Sequence, residues 1–319
     1  MKGSLQTWRS RPEALALLLA LGLLALNVVV RPSFGSAGSI PASLAAFAPF
    51  AIAAMASAPS VISGGGGIDI SIGPLVNLVT IVVVVTLFGH GVTHPLAVIP
   101  IALALGLLVG VVNGLLVSVV RYQPVIATLC GYFILTGVGL QIAPSPSSAT
   151  TSWMNHLADT FGPVPGAVFL IGPPLVLWWL LGRAGYVKRL RAVGGDDATA
   201  YANGVGVTAV RVTAYALGGL VAGFGGIASA ALLQSGDAGL AGQYTLPAIA
   251  AVVIGGTSLL GGRGGLAGPL AGAACIFLVQ TLLSSLYVSD SWLQVAYGSM
   301  LIGAVIFSGR VPQLRRSNA

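Results

Sequence analysis

The chain has 319 residues, of which 56% are hydrophobic and only 7% charged, and its net charge is +7. Soluble domains carry about 25% charged residues, so this composition excludes a soluble globular protein and is read as integral to a membrane. There the positive charge reads as the bias of Lys and Arg toward cytoplasmic loops, not as a nucleic-acid footprint.

A spanning helix needs about 20 apolar residues, and the apolar runs are too long for the roughly 10-residue alternating segments of a barrel. The predicted fold is all-α, a single transmembrane domain over 1–319 with about ten spans, at 14–30, 43–63, 72–89, 95–120, 125–143, 164–182, 212–233, 244–260, 266–286 and 292–308. The first run resembles a signal peptide, but its apolar part is longer than the usual h-region and it is read as a retained span. With an even number of spans both termini are cytoplasmic. Lys2, Arg9, Arg11, Arg121, the 183–211 cluster, Arg263, Arg310, Arg315 and Arg316 then all fall inside. Only Arg31 falls outside, with Asp159, Asp237 and Asp290, which is the expected distribution.

The second span holds Pro49 and Pro59 and runs into SGGGGIDISIGP, 63–74. Irregular backbone survives at membrane depth only inside protein or beside water, so this region is placed centrally. Gly67, Asp69 and Ser71 are candidate central residues. Asp69 reads first as the N-cap of the third span, since it precedes the apolar run. Asn77, Asn113, Gln141 and Gln234 join them as pathway candidates, although interhelical hydrogen bonding suits such amides equally. Thr128, Gln280 and Gln294 are further polar groups in or near spans. Charges near mid-span are missing, which argues against an ion-driven carrier.

Outside, the loop 144–163 is expected to hold an amphipathic helix at about 150–161. Ser152 is its cap, and Trp153, Leu157 and Phe161 share one face. It serves either as an external gate, as a contact for an outside partner, or as a helix resting on the membrane.

The stretch 183–211 is the one long polar interruption. Asp196 is placed to cap a short helix, Asp197 to favour its positive end, and Gly204 to supply a left-handed terminus. Ala198, Tyr201 and Ala202 form a small, partly apolar face. So short a helix needs tertiary support, and docking into a partner's groove competes with a plain capped loop.

Two hairpins share a pattern, Ala51-Ile52-Ala53-Ala54 leading to Gly73-Pro74 and Ala248-Ile249-Ala250-Ala251 leading to Gly268-Pro269. An internal repeat and chance similarity in Ala- and Gly-rich sequence both account for it. Gly219 and Gly223 form a G-x-x-x-G read as internal packing. Cys130 and Cys275 are expected as buried packing residues. No phosphate loop, metal cluster or catalytic set is found, so neither an enzyme nor a cofactor is expected in this chain. His90, His94 and His156 are read as loop residues.

Three strings, SGGGGIDISIG (63–73), AVGGDDATAYANGVGV (192–207) and LPAIAAVVIGGTSLLGGRGGLAGPLAGA (246–273), occur in order and with matching spacing. On them the chain resembles the ribose-type permeases of bacterial ABC sugar importers, within the binding-protein-dependent permease superfamily. That superfamily also holds permeases for autoinducer-2, nucleosides and branched-chain amino acids. The resemblance implies a permease dimer in the bacterial inner membrane, surrounded by lipid. It also implies a periplasmic or extracellular solute-binding protein outside and ABC ATPase subunits that bind ATP on the cytoplasmic side. Ala192, Gly194, Gly195, Asp196, Asp197, Ala198, Tyr201, Ala202 and Gly204 then belong to the ATPase-coupling loop. Asp196 stands where the family pattern has Asn, a change that keeps the capping ability. A stand-alone secondary carrier is the competing reading from another class, and it has no need of the capped loop.

Overall fold

The computed structural model describes residues 12–288 together with Trp292, Val295, Gly298 and Ser299. Most of the expected span at 292–308, with Lys2, Arg9, Arg11, Asp290, Gln294 and the tail arginines, lies outside the described residues.

The helices, in chain order, are α1 (Pro12–Val30), α2 (Ile40–Ile62), α3 (Ile72–Ile81), α4 (Pro95–Ser118), α5 (Pro124–Ile142), α6 (Ser152–Ala158), α7 (Val168–Arg183), α8 (Tyr186–Gly195), α9 (Asp197–Ala202), α10 (Val207–Leu233), α11 (Thr245–Ile254) and α12 (Ala267–Ser285). Helix α3 loosens into a π-helical turn at Val82–Leu87 and a 3₁₀ turn at Phe88–His90. Among the described residues seven helices are long and apolar enough to cross a membrane, or eight if the bent pair α7–α8 is one span. The pair turns by 82° at the break. The difference from ten has named sources. The run expected to span at 244–260 forms a helix of only ten residues, and the 292–308 run is largely outside the described part.

Helix α2 occupies the centre, as its composition requires. Ala51, Ile52, Ala53, Ala54, Met55 and Ala56 are fully enclosed, and the helix continues through both prolines to Ile62. Helices α3, α10, α11 and α12 pack against it, and α4 packs on α10. Small residues set how closely they approach. Gly106 and Gly110 of α4 lie against Gly219 and Gly223 of α10, and a methyl group on Gly110 would meet Ala216 Cα at 3.0 Å. The G-x-x-x-G is therefore internal packing, driven by close van der Waals contact where lipid offers no hydrophobic gain. Polar side chains add cross-links: Thr80 donates to Gly226 O at 3.1 Å, and Asn77 to Asp237 O at 3.0 Å.

Helix α1 is the peripheral element, with most of its leucines exposed. Asn27 anchors it by donating to Leu278 O of α12 at 3.0 Å, and Cys275 lies buried between the two helices. Cys130 corrects the expectation for the other cysteine, since it is exposed on α5. An apolar run does not say which helix face turns outward. The two patterned hairpins both place Gly-Pro in the first turn of the second helix. Their first helices differ, with 23 residues in α2 and ten in α11.

Candidate functional site

At one end of the bundle α8 and α9 form a short platform. Asp196 has extended backbone and caps α9: its Oδ1 accepts from Ala198 N at 3.0 Å and Thr199 N at 3.3 Å, and its Oδ2 accepts the Thr199 hydroxyl at 2.7 Å. The Thr199 hydroxyl, followed by the backbone N–H groups, holds this carboxyl below the ordinary carboxylate range. Gly204 closes the turn with φ +78°. The helix has six residues. Ala200 is buried beneath it, while Ala198, Tyr201 and Ala202 face outward, with Tyr201 74% exposed. Ala192 and Gly195 are also exposed, and Gly194 is buried.

Gly194 marks a junction that spacing alone did not reveal. Three connections far apart in sequence meet there backbone to backbone: the end of α8, the 63–71 break between α2 and α3, and the 255–266 loop between α11 and α12. Gly262 N donates to Ile62 O at 3.0 Å. A methyl group on Gly64 would stand 2.8 Å from Gly194 Cα, and one on Gly262 would stand 2.8 Å from Gly195 Cα. At Gly194 it would collide with the Ile62 carbonyl. Gly64, Gly261 and Gly262 also carry left-handed backbone, at φ +75°, +87° and +74°, which glycine alone adopts without a Cβ penalty. Arg191 clamps the same loop by donating to Gly264 O at 2.6 Å. The three strings that carried the family resemblance are thus the three sides of one contact.

Arg211, in the first turns of α10, joins the platform to this contact. Its Nη2 donates to Asp197 Oδ1 at 2.7 Å and reaches Ser63 O at 3.4 Å. Nothing in the spacing announced the pair, because the two residues lie on different helices.

Deeper along the 63–71 break, Asp69 is 3% exposed. Its Oδ1 accepts from Ser71 N at 3.0 Å and from the Ser71 hydroxyl at 2.6 Å, and Asn113 Nδ2 donates to that hydroxyl at 2.8 Å. Burial raises the Asp69 pKa, against the lowering by these bonds. The N-cap expectation is corrected: Ser71 occupies the cap position of α3, and Asp69 folds back onto Ser71 two residues early. Thr128 of α5 donates to Ile68 O at 3.3 Å and accepts from Ile70 N at 3.2 Å. Gly67 is held where a methyl group would strike the Ser60 carbonyl. Three candidates, Asp69, Ser71 and Asn113, therefore form one buried polar knot. Asn77 and Gln234 lie elsewhere, and Gln141 is exposed.

The opposite end is closed by α6. Met154 and Leu157 are buried in the core. Trp153 stacks edge-on against Phe88 and donates from Nε1 to Thr93 O at 2.8 Å. Gln234 holds left-handed backbone at the end of α10 and donates to Asn155 Oδ1 at 3.0 Å. Two short ladders complete the cap. Strand β1 (Ser147–Ser148) pairs with β4 (Ser235–Gly236), and β2 (Thr160–Phe161) with β3 (Val164–Pro165). Two expectations are corrected here. The helix stops at Ala158, so Phe161 lies in β2 and stacks on Phe169. Thr151 is the residue before the first turn, and no side chain caps it. His90 and His94 stay at the chain turn before α4, where His94 accepts from Leu96 N. Among the described residues no His, Cys, Asp and Glu cluster suits a metal ion.

Residues 39–308 match a family model described as the permease component of a branched-chain amino acid transport system. The chain is 31% identical to the ribose import permease RbsC of Escherichia coli K12, over 93% of this chain and 94% of the relative. It is 31% identical to the fructose import permease FrcC of Rhizobium meliloti, over 93% and 85%. The autoinducer 2 import system permease LsrC of Enterobacter sp. strain 638 is also 31% identical, over 97% and 90%. No solved structure matches. With 270 matched positions, counted from 39 to 308, out of 319, the chain belongs to this family of transport-system permeases, and within it to the ribose-type import permeases.

Proposed function

We propose that this protein is the membrane-spanning subunit of an ATP-driven importer for a monosaccharide or a similar small polar solute. The observation that carries the mechanism is the Asp196-capped helix α9. It holds a 74% exposed Tyr201 at its surface while its base is fused to the glycine junction. An exposed aromatic flanked by alanines suits a groove in a second protein, and a helix this short gains its order from what it packs against.

In this reading α9 is the coupling helix, seated in an ABC ATPase subunit on the cytoplasmic side, and ATP is bound by that partner. The Trp153 end faces the periplasm or exterior, where a solute-binding protein delivers cargo to a permease dimer in the inner membrane. Both termini are cytoplasmic. ATP-driven displacement of α9 pushes on the α2–α3 break and the α11–α12 loop together, so the central helices alternate between outward and inward access. A different solute of the superfamily is the second reading, favoured by the equal identity to an autoinducer 2 permease.

The test is purification of the tagged chain from its native membranes in mild detergent, followed by mass spectrometry. A co-purifying ATPase is expected, and a co-purifying binding protein names the solute. Tyr201→Glu should lose the ATPase while keeping the thermal stability of the chain. Recovery of the chain alone, with solute flux in ATP-free liposomes, replaces this reading with a stand-alone carrier.

A further inference from the structure

Arg211 is built unlike a surface arginine. Its side chain is 17% exposed while its partner Asp197 is 48% exposed. One nitrogen, Nη2, serves both Asp197 and the Ser63 carbonyl, and Gly65 has no room for a methyl group, which would come within 2.9 Å of that atom. The Nε is buried with no hydrogen-bond partner. One turn further along α10, Tyr215 is buried with an equally unpartnered hydroxyl. An ion pair this exposed contributes little to stability, so the fold is not held by it. Its contacts instead connect α9 to the α2–α3 break.

We propose that Arg211 is the positioning residue through which movement of α9 reaches the α2–α3 break, with the Asp197–Arg211 pair as the joint. This rests on the reading of α9 as the coupling helix. A lysine ammonium could meet the same two oxygens from its one nitrogen, but it lacks the Nε donor left over here. The unused Nε and the unused Tyr215 hydroxyl are the donors for a second arrangement, in which Asp197 has moved off with α9. An element with two arrangements, biased from one side and read from the other, is the physical requirement for coupling.

The complete importer, with its ATPase and binding protein, is reconstituted in vesicles carrying Arg211→Met or Arg211→Lys. Three quantities are read: ATPase subunit retained, ATP hydrolysed, and solute taken up per ATP. Arg211→Met should retain the ATPase and its basal hydrolysis while uptake per ATP falls about tenfold, within the usual range of coupling between sites. Arg211→Lys should fall between it and the unaltered chain. If Arg211→Met does not accumulate, Asp197→Ala severs the same pair from its exposed side and should lower uptake per ATP likewise. Unchanged uptake per ATP in the variant that accumulates overturns the proposal, and so does loss of the ATPase from Arg211→Met, which would make Arg211 a docking residue. An unaltered chain that retains no ATPase at all overturns the coupling-helix reading itself, and is seen before any variant is made.

Discussion

The two ends of the bundle are closed by different means. At the Asp196 end, three connections meet through glycine backbones, and the spaces are filled by main-chain atoms. At the Trp153 end, two short backbone ladders and the close approach of Gly166 to the His156 and Leu157 carbonyls are joined by side-chain ties: an indole bond to Thr93 O, an amide bond from Gln234, and an edge-on ring pair. Backbone-on-backbone contact has no rotamers with which to yield, so it transmits displacement and tolerates no added atom. Side-chain ties re-form after movement.

The contrast can be broken most sharply at Gly194. Gly194→Ala places a methyl group on the Ile62 carbonyl and near Gly262 N, both of them backbone. Overpacking of this kind costs about 1–3 kcal/mol or more. The neighbouring Gly195 has open space around it, so Gly195→Ala should leave the melting temperature in detergent unchanged while Gly194→Ala lowers it clearly. Equal behaviour of the two would refute a tight junction.

An intermediate effect is expected at Asp69. Asp69→Ala strips the Ser71 N–H and hydroxyl of their acceptor, a loss of about 1–3 kcal/mol for a buried group. Asp69→Asn keeps an acceptor oxygen and should cost less. The pH dependence sharpens this. Burial raises the folded-state pKa above 3.8, the ordinary value for an aspartate. The folded chain therefore holds a proton that the unfolded chain has released, and stability falls as pH rises from 3.8 through the folded value. A melting series against pH should show this slope in the unaltered chain and a flatter one in Asp69→Asn; identical slopes would mean that Asp69 is not the group responsible.

The smallest effect lies at the other end. Trp153→Phe removes the bond to Thr93 O but keeps an aromatic ring beside Phe88, for about 0.5–1.5 kcal/mol. Hydrogen exchange should speed up in residues 152–158 and stay unchanged around Gly194. Faster exchange at both ends would mean that the two closures are one cooperative unit.

Local signals were legible in the sequence, and contacts across it were not. Asp196 and Gly204 were read correctly because a cap and a left-handed terminus are properties of a few consecutive residues. The central placement of α2 followed from its prolines and from the glycine run 64–67 that follows it. Phe161 was misplaced because a spacing of four continued past Ala158, where the chain had left the helix for a hairpin turning at Gly162, φ +62°. Asp69 was assigned to a cap because it precedes the apolar run, whereas the helix begins after Ser71. The glycine junction and the Asp197–Arg211 pair had no local signature, since their partners come from separate helices. Only the family resemblance placed the three strings in one protein, and the backbone placed them at one point.

Helix α11 has a consequence for how the protein is made. Its ten residues rise about 15 Å at 1.5 Å each, half of the roughly 30 Å hydrocarbon thickness. Gly255 and Gly256 end it, the latter at φ +78°, and Gly255 packs against Gly268 at the start of α12. A segment so short has no stable place in lipid by itself. It enters the bilayer only in company, sheltered by α2 and α12, so α11 and α12 are acquired together during biogenesis and not one span at a time.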